Sequence, residues 1–330
     1  MHALYNALRG RNWAEAQRVV EAAQGDERTV LIDEYSFMPN AYALASEWVA
    51  AEPQDSLRAL VQGAAGVQWA WDARGSRFAR FTRRSQFQEF HRRLVLVERT
   101  LWEVVAVDEA DPAPWTFLVT SARGLQVSRV EAQRRFAGAV RHAPFNNVAH
   151  AQMLQYLCGK WFGSHDEMFA FARSAAETAP TGSLLPALIA IAHLERWMAL
   201  TAEEDWSYMR HPEVRAELRV AAERSIWHAE HRHTVGWLRA CNSFALAFSL
   251  ARDWPSAARV FDGLGNRVTD NWHYVVGPAR LRFRMARRKA YANRDRQTSA
   301  WGPTQGTVRP PIAEESLRQQ RSYNALHGRS

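Results

Sequence analysis

Apolar residues recur every three to four positions along most of this chain, with polar residues on the opposite side of each helical turn. In Phe87, Phe90, Leu94, Val97 and Leu101 the offsets are three, four, three and four, the stripe of an amphipathic helix. The same period predicts helices over Trp13–Gln24, Ala41–Ala51, Asp55–Trp71, Gln86–Val107, Pro112–Val127, Arg129–His142, Asn147–Trp161, His165–Thr178, Leu184–Leu200, Pro212–His228, Thr234–Leu250 and Pro255–Leu264, with a last segment around Asn271–Ala292. Nothing alternates with period two over more than a few residues, so no sheet is expected.

Boundary residues mark where these helices begin and end. Ser85 precedes Gln88, and Ser164 precedes Glu167, at the spacing of a capping box. Pro112, Pro212 and Pro255 fit first helical turns, where a missing amide hydrogen costs nothing. Pro144 and Pro180 stand just beyond apolar stretches and close them.

One helical pattern occurs twice. Arg11-Asn-Trp-Ala-Glu-Ala-Gln-Arg-Val-Val-Glu-Ala-Ala23 matches Arg252-Asp-Trp-Pro-Ser-Ala-Ala-Arg-Val-Phe-Asp-Gly-Leu264 at five of thirteen positions: Arg11/Arg252, Trp13/Trp254, Ala16/Ala257, Arg18/Arg259 and Val19/Val260. Reuse of a helix predicts stacked helical hairpins, because one hairpin cannot bury its own apolar face.

Between these copies, Ala132, Phe136, Ala139, Pro144 and then Met168, Ala172, Ala175, Pro180 follow the offsets of the second helix of a tetratricopeptide repeat, with 36 residues between the prolines. Ala257, Phe261 and Leu264 repeat the pattern without the proline. The middle of the chain therefore resembles tetratricopeptide repeats, most clearly over 113–180 and 238–269. The Gly-Tyr pair of the first helix is missing, and residues 25–85 and 181–236 depart from the period. The resemblance implies that first-helix residues line a groove: His150, Met153, Leu157 and Lys160 in one repeat, and Arg239, Asn242, Leu246 and Ser249 in another. It also implies a ligand for that groove, a peptide held by charge-assisted bonds and apolar pockets. A narrower likeness, Lys160-Trp-Phe-Gly-Ser164 with Met168 and Phe171-Ala-Arg173, is similar to an element of bacterial helical-repeat proteins of unknown function. That element has a structural account of its own, in which Gly163 adopts the left-handed conformation, Ser164 caps the next helix and Trp161 wedges between the two.

Composition changes this picture only at the C-terminal end. The chain has 330 residues, 47% hydrophobic, with fourteen Trp, enough for a continuous core. Its net charge of +8 is not spread evenly: residues 280–330 hold twelve Lys and Arg against three acids, a balance of +9 that leaves the rest at −1. The basic character thus belongs to the end of the chain rather than to the helical body. From Asn293 the sequence has little to bury and several breakers, and a flexible basic tail over 293–330 is expected. Arg284, Arg287, Arg288 and Lys289 just before it are candidate contacts for nucleic acid or another anionic partner. Only Lys160 and Lys289 are lysines, an arginine preference that a GC-rich genome would also produce.

No apolar run reaches the length of a membrane span, and the first ten residues lack a secretory pattern, so a cytoplasmic protein is expected. Two cysteines, Cys158 and Cys241, in apolar helical contexts make a disulfide framework improbable.

Candidate chemistry is sparse. His228, His231 and His233, with Glu230, have a spacing that could bring two imidazoles to one face for a metal, although the signal is weak and solvated turn histidines are the simpler account. His193 and Glu195 are polar residues on an otherwise apolar helix, a candidate acid/base couple set against the commoner satisfied core histidine. The arginines and aromatics between Arg74 and Arg93 would stack on single-stranded nucleic acid, yet their helical segregation already explains them. No nucleophile elbow, phosphate loop or dinucleotide turn is present. The expectation is an all-α solenoid of tetratricopeptide-like hairpins over 1–292, without cofactor, that binds a protein or peptide as a scaffold or regulatory adaptor. The alternatives are a metal-assisted enzyme with a pocket among the helices, and a nucleic-acid binder acting through the tail.

Overall fold

The structure is a computed structural model and describes residues 3–75, 82–200, 207–234, 236–275 and 277–295. The expected flexible tail lies outside the described residues from 296 onward. Among the described residues the regular elements are fifteen α-helices and one 3-10 helix, with no strand. None of these helices is long and apolar enough to cross a membrane. Where the sequence pattern groups 1–292 together, the chain divides into two compact units, 1–156 and 157–330.

Unit 1 contains α1 (Ala3–Arg9), α2 (Trp13–Ala22), α3 (Gly25–Ser36), α4 (Ala41–Ala51), α5 (Ser56–Arg74), α6 (Arg84–Val107), α7 (Pro112–Leu125), α8 (Arg129–Arg141) and α9 (Asn147–Tyr156). Asp55 caps α5 by accepting the Leu57 and Arg58 amides at 2.8 and 3.0 Å. Asp111 caps α7 through Ala113 N–H at 2.9 Å, with Pro112 in the first turn as expected. The capping box expected at Ser85 is displaced: α6 already starts at Arg84, and Gln86 Oε1 accepts the Arg83 amide at 3.1 Å. The carboxamide that reaches back stands two residues earlier than the sequence spacing suggested.

The stripe Phe90, Leu94, Val97, Leu101 is buried against α5 and α7, each side chain contributing about 1.5–3 kcal/mol. The α5 and α6 backbones approach so closely that a Cβ on Gly66 would lie 2.3 Å from Val97 Cγ1. Likewise a Cβ on Gly138 of α8 would meet the Trp115 ring of α7 at 2.4 Å. Arg135 of α8 is buried and ion-paired with Glu98 of α6, while its guanidinium also donates to Leu118 O at 3.0 Å. That donor network removes the penalty of an unpaired buried charge.

Two of these helices, α1 and α3, are absent from the helices predicted by periodicity. Helix α3 has no single apolar stripe, since it buries Thr29, Val30, Ile32, Asp33, Tyr35 and Ser36 almost in succession. It is held by Arg28, whose Nη1 meets Asp111 at 2.9 Å. Asn146 caps α9 through Ala149 N–H at 3.0 Å and donates to Thr116 Oγ1 at 3.1 Å, which ties α9 to α7.

Unit 2 contains α10 (His165–Thr178), α11 (Ala187–Ala199), α12 (Pro212–Arg224), α13 (Trp237–Leu250), α14 (Trp254–Leu264), the 3-10 helix Asp270–Tyr274 and α15 (Ala279–Ala292). Ser164 caps α10 as expected, accepting Glu167 N–H at 3.1 Å. Gly163 is not left-handed; it is small because a Cβ there would lie 2.1 Å from Leu157 O. The C-terminal end of the unit is closed by three aromatic rings. Phe261 and Phe283 meet edge to face at 5.1 Å, and Trp272 meets Phe283 at 5.3 Å. Trp272 also donates to Asn242 Oδ1 at 2.8 Å. Cys158 and Cys241 are both buried thiols, the first beside Met168 Sδ at 3.3 Å. Burial pushes the Cys241 thiol up to about 12.

Candidate functional site

A cleft of about 570 Å³ opens in unit 1 among α3, α5, α7 and α9, a size that suits a small or peptidic ligand. Helix α3 supplies Asp33 and Ser36, with Phe37 just beyond it at 48% exposure. Helix α5 supplies Gln68, Trp71, Asp72 and Arg74 from one face, spaced three and four apart as a helix requires. Helix α7 adds Phe117, Thr120 and Arg123, and α9 adds Gln152.

The aromatic floor is Trp71, in tilted contact with Phe90 at 4.8 Å. The Arg123 and Arg74 guanidinium carbons stand 4.8 and 5.7 Å from its ring centre, within range of a cation–π attraction. Gln68 Nε2 donates to Asp72 Oδ1 at 2.9 Å. The Ser36 and Thr120 hydroxyls bond back to their own helices, to Ile32 O at 2.8 Å and Thr116 O at 3.3 Å. The Gln152 Oε1 atom is buried and accepts no hydrogen bond among the described residues, a state that costs about 1–3 kcal/mol. The wall thus offers guanidinium and amide donors, carboxylate and amide acceptors, and aromatic faces around one space.

The residues that the tetratricopeptide resemblance assigned to a groove lie in both units. His150 and Met153 are buried on α9. His150 Nδ1 contacts Asn146 O at 2.8 Å, its ring packs edge to face on Phe136 at 5.0 Å, and burial lowers its pKa. Helix α9 ends at Tyr156, so Lys160 stands in the turns that follow rather than on the same helix face. There its Nζ meets Glu195 Oε2 at 2.6 Å. Asn242 is fully buried on α13, with Nδ2 donating to Leu238 O at 2.8 Å and Arg267 O at 3.1 Å. Arg239 is half-buried one turn earlier. Arg284, Arg288 and Lys289 are exposed on α15, whereas Arg287 is half-buried and donates to Asn266 Oδ1.

Of the three histidines considered for a metal, His231 and His233 meet edge to face at 5.7 Å, yet the ring of each is engaged elsewhere. His228 Nδ1 accepts Glu230 N–H at 3.2 Å, His231 Nδ1 meets Gly182 O at 2.9 Å, and His233 stacks on Trp237 at 3.9 Å. Among the described residues no group of three His, Cys, Asp or Glu could hold a metal ion.

Unit 2 also has a buried polar chain on α11. His193 Nδ1 meets the Tyr208 hydroxyl at 2.7 Å and its Nε2 meets Glu217 Oε2 at 2.9 Å. Arg173 Nε donates to the other Glu217 oxygen at 2.7 Å. The hydrogen bond from His193, with that from Arg173, holds the Glu217 carboxyl at about 2, and burial raises the Tyr208 hydroxyl above its ordinary value. Glu195, two residues from His193, bonds instead to Lys160 and to the Tyr274 hydroxyl. The two residues therefore serve different partners, and the sequence pattern that paired them reflected only their shared helix.

The cleft was legible in the sequence only after the fact. Its α5 residues belong to a predicted helix, but nothing marks them as a site until α3 is folded opposite them. No protein-family model, curated protein or solved structure matches this chain.

Proposed function

We propose that this chain is a peptide-binding adaptor whose ligand sits in the unit 1 cleft, and that its hairpins are of tetratricopeptide type. The observation that carries the reading is the lining of that cleft. A peptide presents amide donors and acceptors at close intervals together with side chains of either charge, and the cleft offers partners for each around the Trp71 ring. The buried, unmatched Gln152 oxygen gives a ligand amide something to satisfy after a rotation of the carboxamide. The rim residue Phe37, exposed at 48%, supplies apolar contact at low ordering cost. In favour of the repeat type, Ala132, Ala139, Met168, Ala172, Ala257 and Phe261 are all fully buried, as residues at hairpin seams must be.

The test is a peptide array probed with the full chain, followed by calorimetry on the strongest sequences. Phe37→Ser and Gln68→Ala, both at accessible positions, are expected to weaken binding about tenfold each, while Arg99→Ala on the exposed face of α6 leaves it unchanged. An array without binders, or binders indifferent to both cleft substitutions, would sink the reading.

A further inference from the structure

Helix α15 ends the described part of unit 2, and its two sides differ sharply. Phe283 and Ala290 are buried beneath it, where Phe283 joins the aromatic closure with Phe261 and Trp272. The outward side keeps two large apolar residues in solvent, Leu281 at 52% and Met285 at 44% exposure. Its remaining outward residues are Arg280, Arg284, Arg288, Lys289 and Ala292. The helix contains no acid, and among the described residues Arg280, Arg284, Arg288 and Lys289 make no ion pair. This is a concentration of unneutralised charge beside exposed hydrocarbon, which a solvated helix face has no need to assemble.

The order of these residues around the helix identifies the occupant. At 3.6 residues per turn, the middle of the exposed arc is Arg288, Leu281, Ala292 and Met285. Arg280 and Arg284 flank it on one side and Lys289 on the other. A surface built to follow nucleic-acid phosphates would put cations along the middle, with aromatic faces for stacking where bases are held. Here the side chains in the middle are mainly apolar, and the one aromatic ring on this side, the half-buried Tyr291, lies at the Arg280/Arg284 edge with Arg287 5.4 Å from its centre. Leu281, Ala292 and Met285 in the centre beside Arg288, with further cations at both edges, suit the boundary of an anionic bilayer. Leu281 and Met285 enter the acyl region, and the long cationic stems spread sideways to keep their charges at headgroup level.

We propose that α15 docks unit 2 on anionic lipid surfaces, lying in the plane of the interface without spanning it. Attraction to the headgroups comes from the four unpaired cations, and depth and orientation come from Leu281 and Met285. The surface shares no residue with the unit 1 cleft and does not depend on the reading of that cleft.

The test is co-sedimentation of the full chain with vesicles of phosphatidylcholine alone and of phosphatidylcholine mixed with phosphatidylglycerol. Binding is expected only to the mixed vesicles, falling steeply as salt is raised. Arg284→Gln combined with Arg288→Gln is expected to weaken it about thirtyfold. Leu281→Ser combined with Met285→Ser should weaken it about tenfold while leaving the salt dependence in place. All four positions are exposed, so circular dichroism should show the variants folded. Equal binding to neutral vesicles would overturn the proposal, as would full retention by the Leu281/Met285 double variant. Displacement of the chain from vesicles by a duplex oligonucleotide or an acidic helical peptide, combined with that retention, would assign the face to that partner instead.

Discussion

The turn that leads into α2 in unit 1 and the turn that leads into α14 in unit 2 are two copies of one structure with different employment of the cap. Arg11 and Arg252 both have φ of +52°. Asn12 follows at φ −86°, ψ 79°, and Asp253 at φ −85°, ψ 75°. The bonds agree too: Asn12 N–H reaches Ala7 O at 2.9 Å, and Asp253 N–H reaches Phe248 O at 3.0 Å, each satisfying a carbonyl at the end of the preceding helix. The side chains then diverge. Asn12 is exposed and its Oδ1 accepts Glu15 N–H at 3.2 Å. Asp253 is completely buried, makes no cap bond, and instead accepts Arg219 Nε at 2.7 Å. Short-range sequence thus sets the backbone of the turn, whereas the surroundings decide whether its polar residue serves the helix or a neighbour.

Acid should have the largest effect and should distinguish Asp26 of unit 1 from Glu217 of unit 2, which are displaced in opposite directions, although Glu89 and Glu131 of unit 1 are held at about 2 by their arginines much as Glu217 is. Burial raises Asp26 of unit 1 to about 6, so its folded form holds the proton more tightly than the unfolded chain. Its contribution therefore favours folding below pH 4 and is lost as pH rises from about 4 to 6. Glu217 of unit 2, held at about 2 by His193 and Arg173, acts oppositely. Its contribution is complete above pH 5 and disappears as pH falls through about 4 to 2. Each amounts to about 1–2 kcal/mol after solvent screening. Denaturant titrations across this range should show a shallower acid-side decline in Glu217→Gln, with the part due to Glu89 and Glu131 retained, and a shallower neutral-side decline in Asp26→Asn. Unchanged pH profiles in both variants would contradict the assignment.

A smaller difference should come from exchanging the two caps. Asp253→Asn removes a buried charge partner from Arg219, which is itself 45% exposed and returns to water, so the cost is expected near 1 kcal/mol. Asn12→Asp keeps an accepting oxygen at an exposed helix start and should change stability by less than about 0.5 kcal/mol. Equal effects in chemical denaturation would mean that the two caps do the same job after all.

The smallest effect should be common to both copies. Arginine at positive φ is disfavoured relative to glycine, while glycine loses more entropy on folding. Arg11→Gly and Arg252→Gly should therefore each stabilise by about 0.5 kcal/mol, measured as a shift of the denaturation midpoint. Destabilisation of one alone would show that its side chain has a second task.

How far the sequence revealed this molecule depended on whether burial is one-sided. Ala41–Ala51 and His165–Thr178 match their predicted bounds, and α6 misses by two residues, because each has one apolar face and clear ends. The duplicated segment corresponds to two turns of matching backbone, at Arg11–Asn12 and Arg252–Asp253, each leading into a helix that buries its alanine, Ala16 or Ala257. Helix α3 escaped notice because its buried set includes Thr29, Asp33 and Ser36, whose burial follows from partners distant in sequence. That helix forms one wall of the cleft, so the cleft escaped notice with it. Asn242 read as a groove residue for the converse reason: an amide on an apolar helix looks available until Trp272, thirty positions later, takes its oxygen.

The two cysteines give unit 2 an internal clock. Both thiols are sealed from solvent and unit 1 has none, so an alkylating reagent can react only when unit 2 opens, at a rate governed by that opening. Modification at Cys158 and Cys241, resolved by peptide mass, would time the loosening of the start of unit 2 and of its α13 core separately, with unit 1 silent throughout.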